Sequence, residues 1–213
     1  MANAGYFPAP ERRQQILDSA KRVFAQRGYH DTNISHICDD LGIARGTLYQ
    51  YFKSKHEVFA AIIEGLLARV KLAVANEPAI ELPPGFKPTP EQSVAYCAAS
   101  TGRVLAAAFE DEASIRILVR EAVGLDVQID KILRAIDGIV VDRFAADIEV
   151  CQRLGVVRAD IDPRAAALFM LGGIQKVALH ALERATTAKS RGKLDIDALA
   201  QSVAQLQMRG LLA

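Results

Sequence analysis

Apolar residues recur at three- and four-residue spacing along most of the chain, and strict apolar–polar alternation is scarce. That is the period of α-helices with one buried face, so the pattern predicts about nine helices and no strand. The first helix covers Glu11 to Arg27, with Ile16, Leu17, Ala20, Val23 and Phe24 on one stripe and Gly28 as its stop. A second opens on a Thr32 or Asn33 cap and runs to Leu41, turning Ile34, Ile37, Cys38 and Leu41 inward. Leu41-Gly42-Ile43 makes a sharp turn into a third helix, Ala44 to Tyr51, where Leu48 and the following Phe52 point inward. Ser54-x-x-Glu57 is a capping box that opens a fourth helix reaching about Asn76.

Glu77 to Lys87, with Pro78, Pro83, Pro84 and Gly85, is the strongest break and reads as a long loop. Thr89-Pro90-Glu91-Gln92 then supplies a cap, a proline at the first helical position and a box-closing glutamine for a helix to Phe109. Asp111 opens a helix to about Val123, and a long one follows from Val127 to Leu154. Asp162-Pro163 opens another to about residue 185, apolar round much of its circumference. Thr186 to Lys193 reads as a polar loop. Asp195 caps the last helix, where Ile196, Leu199, Val203 and Leu206 form a narrow stripe suited to a helix–helix seam. The fold class is therefore all-α, with an N-terminal three-helix domain over residues 1–54 and a helical domain over 55–213.

Composition narrows the function. The chain of 213 residues is 51% apolar, lacks Trp and carries a net charge of +1, so it is no general polycation. Three cysteines without Cys-x-x-Cys spacing suit a reducing cytosol, and the cytoplasm is the expected location. Met1 to Pro10 lacks the features of a signal peptide. No membrane partner is expected, because the most apolar run, Ala165 to Leu182, contains Lys176 and two glycines. No spacing suits zinc, no phosphate-loop fingerprint appears, and no catalytic constellation is found: His30, His36 and His56 lie in the N-terminal head and His180 stands alone. The chain does not read as an enzyme, and neither a cofactor nor a metal is expected.

The third helix carries the chemistry. Arg45, Gly46, Thr47, Tyr49 and Gln50 face outward, and Tyr51, Lys53 and Lys55 follow. Two short helices about a glycine turn, the second rich in such groups, make a helix-turn-helix whose second helix enters the major groove. Arginine can grip guanine O6 and N7 together, and glutamine can read adenine. A glycine at position 46 lets the helix approach base edges closely.

Gly28-Tyr29, Thr32, Ile37, Leu41-Gly42-Ile43, Gly46-Thr47-Leu48-Tyr49, Tyr51-Phe52-Lys53-Ser54-Lys55 and Glu57 together resemble the N-terminal domain of the TetR family of bacterial transcriptional regulators. The motif resemblance covers residues 11–60; beyond them it is one of architecture. It implies phosphate contacts from Thr32 and Lys55. It also implies base or sugar contacts from Arg45, Gly46 and Thr47, and phosphate or thymine-methyl contacts from Tyr49 and Tyr51. Asn33, Gln50 and Lys53 complete the candidate DNA-binding set.

The resemblance further implies a C-terminal region that binds small ligands and dimerises. Ile62, Leu66, Tyr96, Cys97, Ser100, Arg116, Arg120, Phe144, Ile148, Phe169 and Gln175 are the candidates for a largely apolar ligand pocket with one or two polar anchors. Leu168, Leu171, Leu179, Leu182, Leu199, Val203 and Leu206 are the candidates for a homodimer seam. The expected function is a ligand-responsive regulator bound to a pseudo-palindromic double-stranded DNA operator, by default a repressor released by a small apolar effector. The alternatives are an activator, or an all-helical ligand-binding protein or enzyme that shares only the trihelical head.

Overall fold

The computed structural model describes residues 8–78, 80–81, 83, 85–117, 125–187 and 195–211. Among them are nine α-helices and no strand: α1 (Ala9–Arg27), α2 (Ile34–Leu41), α3 (Arg45–Tyr49), α4 (Lys55–Ala75), α5 (Pro90–Phe109), α6 (Glu112–Ile117), α7 (Val127–Arg153), α8 (Pro163–Thr187) and α9 (Ile196–Leu211). The caps explain most of these limits. Asn33 and Thr89 each close a capping box, on α2 with His36 and on α5 with Gln92. Asp126, Asp162 and Asp195 accept hydrogen bonds from the first-turn N–H groups of α7, α8 and α9. The part of α6 expected beyond Ile117, including Arg120, lies outside the described residues, as does most of the loop expected after Thr186.

The chain separates into two compact units, and neither is one continuous segment. Unit 1 comprises Met1–Ala68 and Asp111–Leu133, and unit 2 comprises Arg69–Glu110 and Arg134–Ala213. Compact packing thus divides the chain elsewhere than at the 54/55 boundary expected from the sequence, because α4 and α7 each contribute to both units.

In unit 1, Ile16, Phe24, Ile37, Leu48, Phe52, Phe59 and Ile63 are almost wholly buried. Phe24, Tyr29 and Phe59 form an aromatic cluster with ring centres 4.7–5.7 Å apart. Ser19 of α1 donates its hydroxyl proton toward Ile37 O and Asp40, and Arg22 holds the same carboxylate at 2.7 Å. The second segment of the unit supplies Ile115, Ile117 and Ile129 to the core, and Lys21 meets Asp111 at 2.5 Å. His56 at the start of α4 lies 2.6 Å from Asp126.

In unit 2, α5 and α9 pack closely, with Gly102 placed so that a Cβ would lie 3.6 Å from Ala200. Gln207 is buried on α9 and donates its amide to Met170 O of α8 at 2.8 Å. The Pro163–Leu182 part of α8 is long and apolar enough, by length and mean hydropathy of 1.5, to cross a membrane, and 33% of it is buried. Leu168, Phe169 and Val177 account for much of its uncovered apolar surface.

Candidate nucleic-acid interface and buried cavity

The turn between α2 and α3 is built on Gly42, whose φ of 71° places it in the left-handed region that glycine adopts without strain. The Ile43 N–H donates to Cys38 O at 3.0 Å, closing the angle, while Cys38 itself is a buried apolar filler. Burial raises the pKa of that thiol, which keeps it protonated and unreactive. From this turn α3 sends Leu48 and, just beyond it, Phe52 into the core of unit 1. The opposite face leaves Arg45, Gly46, Tyr49 and Gln50 exposed, with Thr47 and Tyr51 half-buried and Lys53 exposed beyond them. A Cβ added at Gly46 would meet no atom within 4 Å. The fold does not need a glycine there.

Three further residues expected at this face are engaged within the protein. Thr32 is buried, its hydroxyl donating to Gly28 O at 2.7 Å and its N–H to Tyr29 O at 3.3 Å. Asn33 accepts from His36 N–H, and its own N–H reaches the His36 ring. Lys55 donates to Tyr29 O at 2.6 Å and to His30 O at 3.4 Å. The Thr32 hydroxyl is thus committed to holding the α1–α2 connection, and Lys55 keeps only part of its donor capacity for a phosphate.

Unit 2 contains a cavity of about 380 Å³, within the ~300–1,000 Å³ of small-molecule sites. Ile80, Phe86 and Pro88 of the loop before α5, Phe144 and Ile148 of α7, Val156 and Val157, Met170 of α8 and Met208 of α9 make most of its wall apolar. The polar part comes from Gln92, Ser93, Tyr96, Ser100 and Thr101 of α5 and from Asp147 of α7, with Glu81 in the loop. Cys97 and Cys151 also line it, and burial pushes the Cys97 thiol up to about 11. Burial likewise raises the Asp147 carboxyl, although Arg143 opposes the shift. No group of three or more His, Cys, Asp or Glu among the described residues could hold a metal ion.

Residues 16–62 match the model of the bacterial regulatory proteins of the tetR family. The transcriptional activator FasR of Mycolicibacterium smegmatis is 42% identical over 27% of this chain, an alignment that spans only 26% of that relative. The fatty acid metabolism regulator protein of Bacillus subtilis is 25% identical over 92% of this chain and 94% of its own length. Residues 16–62 thus resemble a tetR-family regulator, and the alignment to the Bacillus subtilis protein extends a weaker similarity along the chain.

A solved structure of similar fold is the transcriptional regulator FadR from Bacillus subtilis in complex with stearoyl-CoA. It is 19% identical, with a TM-score of 0.68 over 92% of this chain and 98% of that one. At that identity the likeness is one of fold, while the match over residues 16–62 is to a family of bacterial regulatory proteins.

Of the residues expected in a ligand pocket, Tyr96, Cys97, Ser100, Phe144 and Ile148 line the cavity. Ile62 and Leu66 do not; they are buried in unit 1. Arg116 is ion-paired with Glu112 at 2.5 Å in unit 1. Phe169 is 76% exposed, because its neighbour Met170 takes the inward position on α8. Gln175 donates to Asp137 at 2.7 Å on the surface. Arg120 lies outside the described residues.

Sequence reasoning missed Asp147, although a signal was available. Phe144, Asp147, Ile148 and Cys151 recur at helical spacing, so the acid stands on an apolar stripe. Among the expected seam residues, Leu182 and Val203 are buried within the single chain, Leu171, Leu179 and Leu199 are half-buried, and Leu168 and Leu206 are 56% and 78% exposed.

Proposed function

We propose that this protein is a tetR-family homodimeric repressor that leaves its operator when a small, largely apolar effector fills the cavity of unit 2. The observation that carries the reading is the pairing, in one chain, of an exposed polar α3 face with an apolar cavity of ligand size. Arg45 makes no hydrogen bond or ion pair among the described residues, so its guanidinium is available for a base edge. Tyr49, Gln50, Tyr51 and Lys53 flank it, and Gly46 gives clearance. Asn33 and Lys55 add contacts to phosphate, while Thr32 contributes by positioning the start of α2.

Leu168, Phe169, Val177 and Leu206 support the dimer. Each is a large apolar residue that keeps between 39% and 78% of its surface exposed in the single chain, and burying such surface is worth about 25 cal/mol per Å². Two subunits related by a two-fold axis would present their α3 helices to successive major grooves about 34–36 Å apart on a pseudo-palindromic operator. An effector that binds more tightly to the spacing unfit for DNA lowers operator affinity by linkage. Since α4 runs from unit 1 into unit 2, it is the element assigned to carry that coupling. The site of action is the cytoplasm.

Selection of bound genomic fragments, followed by mobility shift with and without apolar ligands, tests this reading. Binding to one palindromic sequence, with release on ligand addition, is expected. Ligand-strengthened binding would instead make the protein an activator or a co-repressed repressor. Absence of sequence preference would remove the operator reading altogether.

A further inference from the structure

The cavity has a marked chemical bias. Among the described residues no Lys, Arg or His lines it, and its charged side chains, Asp147 and Glu81, are both acidic. Lys87 stands between two lining residues, yet its ammonium lies by Gly155 and not in the wall. Asp147 Oδ2 takes the Nε–H of Arg143 at 2.9 Å. Its other oxygen accepts from no donor among the described residues.

The cations bonded around this carboxylate cannot be recruited to balance an incoming anion. Arg143 spends Nε on Asp147, Nη1 on Glu77 O at 3.2 Å and Nη2 on Pro78 O at 2.7 Å. Arg103 is held on the Glu77 carboxylate by two hydrogen bonds of 2.5 and 2.7 Å. Freeing either guanidinium would strand a carboxylate whose partner it is, and the Glu77 side chain is only 1% exposed. An anionic head group would therefore enter beside Asp147 without compensation, a costly arrangement in an apolar wall.

Donors meet the opposite situation. The hydroxyls of Ser100 and Thr101 line the same cavity, are more than nine-tenths buried and find no hydrogen-bond partner of good geometry. Ser100 lies near enough to lower the Glu77 carboxyl, and Thr101 to lower the Cys97 thiol, but neither contact has the geometry of a hydrogen bond. Buried hydroxyls without partners are uncommon and mark a place where a polar atom is still to come. They can give or take a proton, so with Asp147 they form a polar patch that receives a donor and tolerates a second polar atom.

We propose that the effector of this cavity is an apolar molecule, uncharged or cationic, that donates a hydrogen bond to Asp147, and that carboxylates, phosphates and coenzyme A thioesters are rejected. This rests on the reading of the cavity as the effector site. It separates this chain from the fold relative solved with stearoyl-CoA, whose ligand carries several negative charges.

The test uses the full chain and four probes with one skeleton: decanol, decylamine, decanoate and decanoyl-coenzyme A, measured by calorimetry and thermal shift. Decanol and decylamine should bind, and the two anions should bind at least about tenfold more weakly, the margin expected when a charge is left unpaired. Asp147→Asn, which keeps the shape, should weaken decylamine by a similar factor. Anions that bind as tightly as the donors would overturn the proposal. Cys151→Phe fills part of the cavity while leaving Asp147, Ser100 and Thr101 in place, and tells the two readings apart; Ser93→Leu serves if that variant does not fold. Loss of all binding in the filled variant, with anions preferred by the wild type, would sink the donor class and leave the cavity as the effector site. Probe binding that ignores the filled cavity, or no binding by any probe, would remove both.

Discussion

The Lys55 ammonium lies 2.6 Å from the carbonyl oxygen of Tyr29 and 4.2 Å from the centre of that residue's ring. A side chain expected to hold DNA phosphate is thus also a tie between the start of α4 and the connection after α1. Burial lowers its pKa from an ordinary 10.5, as befits a partly desolvated cation. Lys55→Ala should therefore have two effects. Without DNA it should lower stability by about 1–2 kcal/mol, from the lost carbonyl and ring contacts. With DNA it should weaken binding across all sequences and flatten the salt dependence by about one unit per subunit. An unchanged melting temperature would mean that the tie contributes nothing; an unchanged salt slope would remove the phosphate contact.

Gly46 offers a cleaner separation of fold from recognition. Nothing in the protein approaches within 4 Å of a Cβ at this position, and its backbone is helical. Gly46→Ala should leave the fold intact and stabilise it by roughly 0.5–1 kcal/mol, the gain from removing a helical glycine. Gly46→Val should fold too. Both should lose operator affinity, Val more than Ala, if bases come close to this face. Mobility shift alongside thermal melts reads both effects, and full DNA affinity in the Val variant would show that the face stands off from the bases.

Glu77 predicts a pH dependence. Burial pushes its carboxyl up, but the paired hydrogen bonds and charge of Arg103, with smaller contributions from Ser100 and Arg143, outweigh it and leave it below the ordinary 4.5. A carboxylate with a depressed folded pKa contributes stability that is full above its unfolded value and is lost as pH falls through the folded one. Glu77→Gln should cost about 1–3 kcal/mol at neutral pH, a range kept low because Arg103 is half exposed. The gap between wild type and variant should close below pH 4.5. Denaturant titrations over the acid range measure it, and a gap that persists in acid would assign the loss to packing.

For Leu168, 56% exposed on α8, the prediction concerns assembly. Leu168→Glu should fold as a single chain, since more than half of the residue is exposed in it, and should sediment as a monomer. Its operator affinity should fall steeply because only one half-site can then be held at a time. A variant that remains dimeric would move the seam to another face.

Much of the fold was legible because caps are local chemistry. Asn33, Thr89-Pro90, Asp162-Pro163 and Asp195 mark helix starts to within a residue or two, and each has a donor that only a short polar side chain or a proline leaves satisfied. Orientation was less legible where a helix is apolar on several sides. On α8 periodicity could not choose between Phe169 and Met170. On α9 the buried face includes Gln207 while Leu206 is left 78% exposed. The exposed face of α3 was readable because its residues are contiguous. The cavity was half readable: Tyr96, Phe144 and Ile148 were found, but Asp147 was not among the candidates. Ile80, Phe86 and Pro88 were hidden in a stretch whose prolines signalled only a break.

The contribution of residues 111–133 to unit 1 bears on how such a gene can be cut and joined. Ile115, Ile117 and Ile129 join the core of unit 1 from seventy or more residues beyond the start of α3 at Arg45, and Asp111 anchors α1 through Lys21. A recombination crossover placed after α3, where the conspicuous motif ends, would hand a new host the recognition surface without the isoleucines that support it. A working transplant of this DNA specificity should therefore carry both segments, or swap only the exposed residues of α3 and leave the core beneath them in its original context.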